Sequence, residues 1–355
     1  MKNFNNTPPS HDEIEFTIFG PGYGEAIVLH LGDGHWMLVD SCIYPETEQP
    51  ISLYYLDQIG VQFNSVCTIV ASHWHDDHVR GLSKLVQMCP NAEFFVSGVF
   101  NEKEMMAFLR AYGGLDGVHR GTKELYCSIM ANSAPNFAHQ RTILREQVIG
   151  SRQIRVSAFS PTSRAQAQSK SHYAQYLPSV GGGRNSFAPD LHPNIEAVVM
   201  HIDLGNDGIL LGSDLEDHSL GWSAVLSDSW CIGRQLASLY KVAHHGSVTG
   251  DNKKIWEKLL KLKPFVSLTP FINGATKIPK QEDKQRIKSS SKAAFISSGT
   301  SRKPKMTYEI ERRLSDICSE LSLVNSGFGG VRFRKKLGST EDWFVELFGT
   351  AEVLY

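Results

Sequence analysis

The chain has 355 residues, a formal net charge of −1, 41% hydrophobic and 10% aromatic residues, a composition that suits a globular protein with a substantial core. That length holds one large α/β domain with insertions or two smaller domains, and the near-neutral charge carries no global polyelectrolyte signal. No run approaches the ~18 apolar residues of a membrane span, and the cysteines at 42, 67, 89, 127, 231 and 318 show neither C-x-x-C spacing nor a disulfide framework.

Residues 1–13 are polar and read as a flexible lead-in. They lack an apolar h-region, so no secretory signal is expected and the expected location is cytoplasmic. Residues 15–19 and 25–31 alternate as half-buried strands around a glycine-rich turn, and Gly32-Asp33-Gly34 turns into a third strand, 35–40. Residues 51–59 have helical periodicity and stop at Gly60. Residues 66–71 read as a buried strand, 79–86 return to helical spacing, and 92–97 form the next strand. Two helical patterns follow within 101–147, one ending near Gly113 and one from Thr122 to about Met130, and this stretch is expected as a helical insertion. Residues 160–193 are rich in Ser, Gln, Arg, Gly and Pro without clear periodicity and are expected as a loop insertion. Residues 196–204, 209–213 and 239–243 are apolar strands. Residues 252–263 read as an amphipathic helix with Ile255, Trp256, Leu259, Leu260 and Leu262 largely inward. Strands follow at 265–269 and 293–297, then a helix at 307–321 and a terminal hairpin of 331–334 with 343–347.

Charge is uneven along this order. Residues 1–240 hold 15 basic against 25 acidic residues, whereas 241–305 hold 15 against 4. Much of that basic block lies on the outer face expected of the 252–263 helix, where lysines are ordinarily solvated.

Chemistry is concentrated in Ser72-His73-Trp74-His75-Asp76-Asp77-His78, which places three imidazoles and a carboxylate in His-x-His-x-Asp-His spacing. The run sits between a strand and a helix. Residues two apart share a face of an extended segment, so His73 and His75 can grip one metal. Asp77 and His78, entering the helix, can grip a second. Zinc and similar ions take imidazole and carboxylate ligands, and two-metal sites need roughly 3.5–4 Å between ions.

The run from His73 to His78, preceded by a strand and followed by Gly81, resembles the signature of the metallo-β-lactamase-fold hydrolases. Gly20-Pro21-Gly22-Tyr23-Gly24-Glu25-Ala26, Met37-Leu38-Val39-Asp40-Ser41, Leu210-Leu211-Gly212-Ser213-Asp214 and Lys241-Val242-Ala243-His244-His245-Gly246-Ser247 extend the likeness. Together they resemble the branch typified by the soluble hydrolase domain of bacterial competence (DNA-uptake) channels, with gaps, from residue 16 to about 299. The resemblance implies an α/β fold, a four-layer αββα sandwich formed as one domain over residues 14–355. It implies that Asp40 lies behind the metal site and orients the histidine loop, and that Asp214 bridges two metals. One of His244 and His245 should complete the second metal; His245 is favoured, leaving His244 to contact substrate or the attacking water. The third ligand position falls at His192-Pro193-Asn194, where Asn194 is expected and His192 is the rival. An asparagine there weakens the first metal site and favours harder ions such as manganese over zinc. In the family such loops often cover the cleft, so Arg164, Lys170, His172 and Arg184 could meet an anionic substrate. A late histidine of the branch is replaced by Lys303-Pro304, so Lys303 is a candidate substrate contact.

Two divalent ions at such a site, Zn or Mn, imply hydrolysis by an activated water, with Asp77 orienting the nucleophile. Fold does not select among phosphodiesters, esters and thioesters. The DNA-uptake likeness, the basic block and the Ser247 hydroxyl point to a phosphodiesterase acting on nucleic acid or a nucleotide, with no membrane partner. A small ester or thioester hydrolase is the alternative, and a non-catalytic metal-binding module of a larger complex is a third reading.

Overall fold

The computed structural model describes residues 6–101, 103–112, 120–131, 135–177, 193–299, 313 and 327–354. Period-two alternation of apolar residues builds β1 (Glu13–Gly20), β2 (Ala26–His30) and β3 (Trp36–Val39). A small hairpin of β4 (Ile43–Tyr44) and β5 (Gln49–Pro50) precedes α1 (Ile51–Gln58). The chain continues through β6 (Val66–Val70), α2 (Asp76–Val79), α3 (Leu82–Met88), β7 (Glu93–Ser97), α4 (Lys103–Tyr112), α5 (Arg120–Ala131) and β8 (Asn136–Ala138). Then come β9 (Ile143–Ile149), β10 (Arg152–Ala158), α6 (Ser163–Ala174), β11 (Met200–Asp203) and β12 (Gly208–Leu211). After α7 (Trp222–Val225) and α8 (Ser229–Ile232) follow β13 (Ala237–Lys241), α9 (Lys253–Lys258) and β14 (Leu260–Leu268). A second hairpin, β15 (Phe271–Asn273) and β16 (Thr276–Ile278), leads to α10 (Gln281–Ser290), β17 (Ala293–Ile296), β18 (Gly329–Lys336), β19 (Phe344–Gly349) and β20 (Glu352–Val353).

Sixteen of these strands form two mixed eight-stranded sheets, ordered β19-β18-β1-β2-β3-β6-β7-β8 and β20-β17-β14-β13-β12-β11-β10-β9. Their inner faces meet in one core, where Phe16, Ile27, Met37 and Phe333 from the first sheet join Val156, Met200, Ile209 and Leu239 from the second. The outer face of the first sheet is covered by α1, α3, α4 and α5, and that of the second by Trp222, Ile255 and Ile287 from α7, α9 and α10. The result is the expected four-layer helix–sheet–sheet–helix sandwich. Burying both faces of each sheet explains why its strands read as near-continuous apolar runs.

Three expectations need correction. Residues 160–193 are not a featureless loop, because α6 occupies Ser163–Ala174; the Thr162 hydroxyl accepts from the Ala165 amide at 3.2 Å, and Ala165, Ser169 and Tyr173 form a buried stripe four residues apart. The helix expected over 252–263 ends at Lys258, and the chain continues as β14, which pairs with β13 at Leu260 and again from Phe265 after a register shift; Leu262 lies in that irregular stretch and is 94% exposed. The helical insertion at 101–147 is interrupted by strands, for β8 joins the first sheet and residues 143–147 belong to β9. The helix expected over 307–321 lies outside the described residues, apart from residue 313.

One histidine ties the first turn together and makes stability depend on pH. His30 Nδ1 donates to the Glu13 carbonyl at 2.7 Å, while Nε2 accepts from the Gly34 amide at 3.0 Å. Both contacts suit the neutral ring, and burial lowers its pKa to about 4. The folded value lies below the ordinary 6.5, so the contribution is complete above pH 6.5 and is lost as pH falls towards 4. We expect this group to cost about 2 kcal/mol of unfolding free energy between pH 7 and 5. Urea midpoints of wild type and His30→Asn at both pH values would check it, since an unchanged pH slope in the variant removes the assignment.

Candidate metal centre

β3 and β6 run parallel, as do β12 and β13, so in each sheet the carboxyl ends lie side by side. Residues just past such ends converge, the usual place for a site among parallel strands. Asp40 follows β3, residues 72–78 follow β6, Asp214 follows β12, and His244-His245 follow β13. The chain leaves these strands through sharp turns. Asp40, Ser213, His244 and His245 take φ of +58°, +46°, +49° and +51°, left-handed values that non-glycine residues adopt at a cost of order 1 kcal/mol or more. At Gly212 a Cβ would lie 2.8 Å from the Ala243 amide nitrogen, so only glycine lets the two turns approach.

Asp77, His78, Asp214 and His245 are buried together, with one donor atom from each within 4.8 Å of the others. His245 Nε2 lies 3.2 Å from Asp77 Oδ2 and 3.1 Å from Asp214 Oδ2. His78 Nε2 is 3.6 and 3.5 Å from the same two oxygens. The far nitrogens are anchored: His78 Nδ1 is 2.7 Å from Asp40 Oδ2, and His245 Nδ1 is 3.2 Å from the Thr269 carbonyl and 3.0 Å from its hydroxyl. Asp40 also accepts from the Ser72 amide and hydroxyl, both at 2.7 Å, so one carboxylate clamps both the start and the end of the histidine loop.

Electrostatics within the cluster oppose burial and win. Burial alone would lower the two imidazoles, but the Asp214, Asp77 and Asp40 carboxylates raise His78 well above the ordinary value, and Asp214 and Asp77 bring His245 up to about 9. Burial would raise the carboxylates, yet the imidazoles hold Asp77 and Asp214 below the usual range. Among the described residues His78 Nε2, His245 Nε2 and Asp214 Oδ1 make these charged contacts without an aligned hydrogen bond. Two anchored imidazoles facing two carboxylates are a donor set that suits a divalent cation. The residues present fit such an ion.

His73 and His75 border this group. His73 Nε2 is 3.0 Å from His75 Nδ1, and its ring centroid lies 4.2 Å from that of His78. Burial holds both below the ordinary imidazole value, which keeps their nitrogens available as neutral ligands. His244 stands apart from Asp77 and Asp214: its Nδ1 contacts the Thr249 hydroxyl at 2.8 Å and a third carboxylate, Glu216 Oε1, at 3.1 Å. Asn194 donates to the same Glu216 oxygen at 3.2 Å, and its own Oδ1 is buried without a hydrogen-bond partner among the described residues. The Ser247 hydroxyl caps the short turn Val248–Gly250 through the Thr249 amide. Arg184, Lys303 and His192 lie outside the described residues. Beside Asn194 and Glu216, a cavity of about 660 Å³ is lined further by His172, Tyr173 and His218.

Sequence reasoning gave no role to Glu25, Lys241, Thr269 or Glu216. Lys241 Nζ is fully buried, 2.8 Å from Glu25 Oε1, 3.0 Å from the Ser213 carbonyl and 3.6 Å from Asp214 Oδ1. Although burial works against its charge, Glu25 and Asp214 raise its pKa. The available signal was a lysine inside an otherwise apolar strand, since a buried charge requires a buried partner. Glu25 Oε2 accepts from the Thr269 hydroxyl at 2.5 Å, which links this ion pair to the residue that anchors His245.

Residues 19–263 match the family description of the metallo-beta-lactamase superfamily, and the chain belongs to that superfamily. Its members are mostly hydrolases, and the buried imidazole–carboxylate cluster suits a metal-dependent one. Similar solved structures include the metallo-beta-lactamase fold protein YhfI from Bacillus subtilis, 12% identical over 80% of this chain and 95% of that one, with a TM-score of 0.39. Metallo-beta-lactamase SMB-1 is 13% identical over 68% and 82% of the two chains, with a TM-score of 0.33. A metallo-beta-lactamase from Cronobacter sakazakii is 14% identical over 65% and 77%, with a TM-score of 0.34. No curated protein matches the chain. Among the described residues no helix is long and apolar enough to cross a membrane.

Proposed function

We propose that this protein is a metal-dependent phosphodiesterase acting on nucleic acid or a nucleotide, and that it belongs to the branch resembling the hydrolase domain of competence channels. The observation that carries the hydrolytic part is the buried quartet Asp77, His78, Asp214 and His245, whose Nε2 and carboxylate oxygen atoms converge on one point. In this reading the quartet holds one divalent ion, and His73, His75 and Asn194 with Asp214 hold the other, zinc or manganese in either place. Such ions, when bound, acidify a water and neutralise charge that grows on the oxygens of the attacked ester.

The protein's own groups supply orientation. Asp40 fixes the His78 ring and the loop that carries it, and Thr269 does the same for His245. His245 and His78 hold the Asp214 carboxyl below the usual range, and Lys241 Nζ stands behind it, 3.6 Å from Oδ1. Asp77 accepts a hydrogen bond from the attacking water, and His244, whose Nδ1 is held by Thr249 and Glu216, would turn its Nε2 to the substrate's phosphoryl oxygens. The phosphate preference draws on the excess of basic residues between 241 and 305, 15 against 4 acidic, and on the family likeness. The test is turnover of bis(4-nitrophenyl) phosphate, single-stranded DNA, RNA and cyclic nucleotides beside 4-nitrophenyl acetate and a thioester. Phosphodiester cleavage that disappears with chelator and returns with zinc or manganese is expected. Cleavage of the acetate or thioester alone, or no turnover with ions bound, would remove the proposal.

A further inference from the structure

A chain of rings leads out of the buried cluster. The centroids of His245 and Phe271 are 5.4 Å apart at 38°, those of Phe271 and Tyr23 are 5.4 Å apart, and the Arg80 guanidinium sits 5.0 Å above the Tyr23 ring. Tyr23, Phe271 and Arg80 are each half-buried, so part of every one of these side chains remains accessible. Tyr23 and Phe271 come from outside both large sheets, one from the loop between β1 and β2 and one from the β15–β16 hairpin. The two segments are joined directly, since the Ile272 amide donates to the Gly22 carbonyl at 2.6 Å.

None of the six hairpin residues is fully buried, so the hairpin adds little to the core that would repay its ordering. Its turn is well specified: Gly274, at φ +58°, is the first of the two loop residues, as a primed turn requires. The hairpin therefore places Phe271 at a fixed point beside His245. On its other side Lys277, Lys280 and Arg286 line a cavity of about 660 Å³ together with Glu282, Asp283 and Ser247, three cations against two carboxylates. Aromatic faces followed by cations are the arrangement by which proteins hold single-stranded nucleotides, because every base has a π face and every linkage a negative charge.

We propose that Tyr23, Phe271 and Arg80 form a seat for a nucleobase of the substrate, with Lys277 and Lys280 meeting a flanking phosphate. The inference rests on the phosphodiesterase reading and names its substrate class as nucleotidyl rather than simple alkyl or aryl esters. The test reads binding and not turnover. Metal-loaded protein is titrated calorimetrically with AMP and with ribose 5-phosphate, which lacks the base. AMP is expected to bind roughly tenfold more tightly. In Phe271→Leu, which keeps an apolar side chain against His245, the ratio is expected to fall close to one, and in Phe271→Trp it is expected to persist. Melting temperatures near wild type would show that both variants are folded. Equal affinities in wild type, absence of binding by either compound, or an undiminished ratio in Phe271→Leu would overturn the seat. A base preference in a protein that cleaves no phosphodiester supports the seat and removes the catalytic reading instead.

Discussion

Replacing Asp214 by alanine is expected to lower the metal content and to reduce hydrolysis about a thousandfold, the loss of several kcal/mol of stabilisation that a fully assembled metal site supplies. The reason is positional. Asp214, like Asp77, meets both His78 and His245 through Oδ2, and in addition its Oδ1 faces Lys241. Its removal takes a ligand atom from the quartet and leaves the lysine charge directed at a site meant for a cation. Metal analysis after dialysis, with turnover under the same conditions, checks this. A variant that keeps both full metal content and full turnover would show that the quartet is an ordinary buried ion-pair network.

The second large effect is on stability. Lys241→Ala strands the Glu25 carboxylate in the interior, and breaking a buried pair by removing one partner costs about 3–5 kcal/mol. Denaturant unfolding of the metal-free protein reads this without interference from ion binding. The double change Lys241→Met with Glu25→Gln removes both charges and is expected to recover more than half of the loss, because the penalty belongs to the unpaired charge and not to the missing contact. A single variant within 1 kcal/mol of wild type would mean that water reaches Glu25.

The His73–His78 run was legible because its ligands are compressed into six residues between a strand and a helix. Asp40, Asp214 and His245 were legible only through their resemblance to a family, since an aspartate or histidine at a strand end is common. α6 escaped because its inward stripe is Ala165, Ser169 and Tyr173, small and polar residues that do not read as an apolar face. The β15–β16 hairpin escaped although Asn273-Gly274 between alternating residues was a turn signal.

The sequence by itself determined the apolar strands, because sheets buried on both faces require them, with the sandwich following only from the family resemblance, and it determined the presence of a metal-suited loop, because those ligands are neighbours along the chain. Only the tertiary structure decided that His245 and not His244 faces Asp77 and Asp214, that Lys241 and Glu25 stand behind Asp214, and that Phe271 lies against His245. Each of these depends on left-handed turns at strand ends and on contacts between residues far apart in the chain. Such contacts are settled by how the two sheets pack, and local residue spacing carries no record of them.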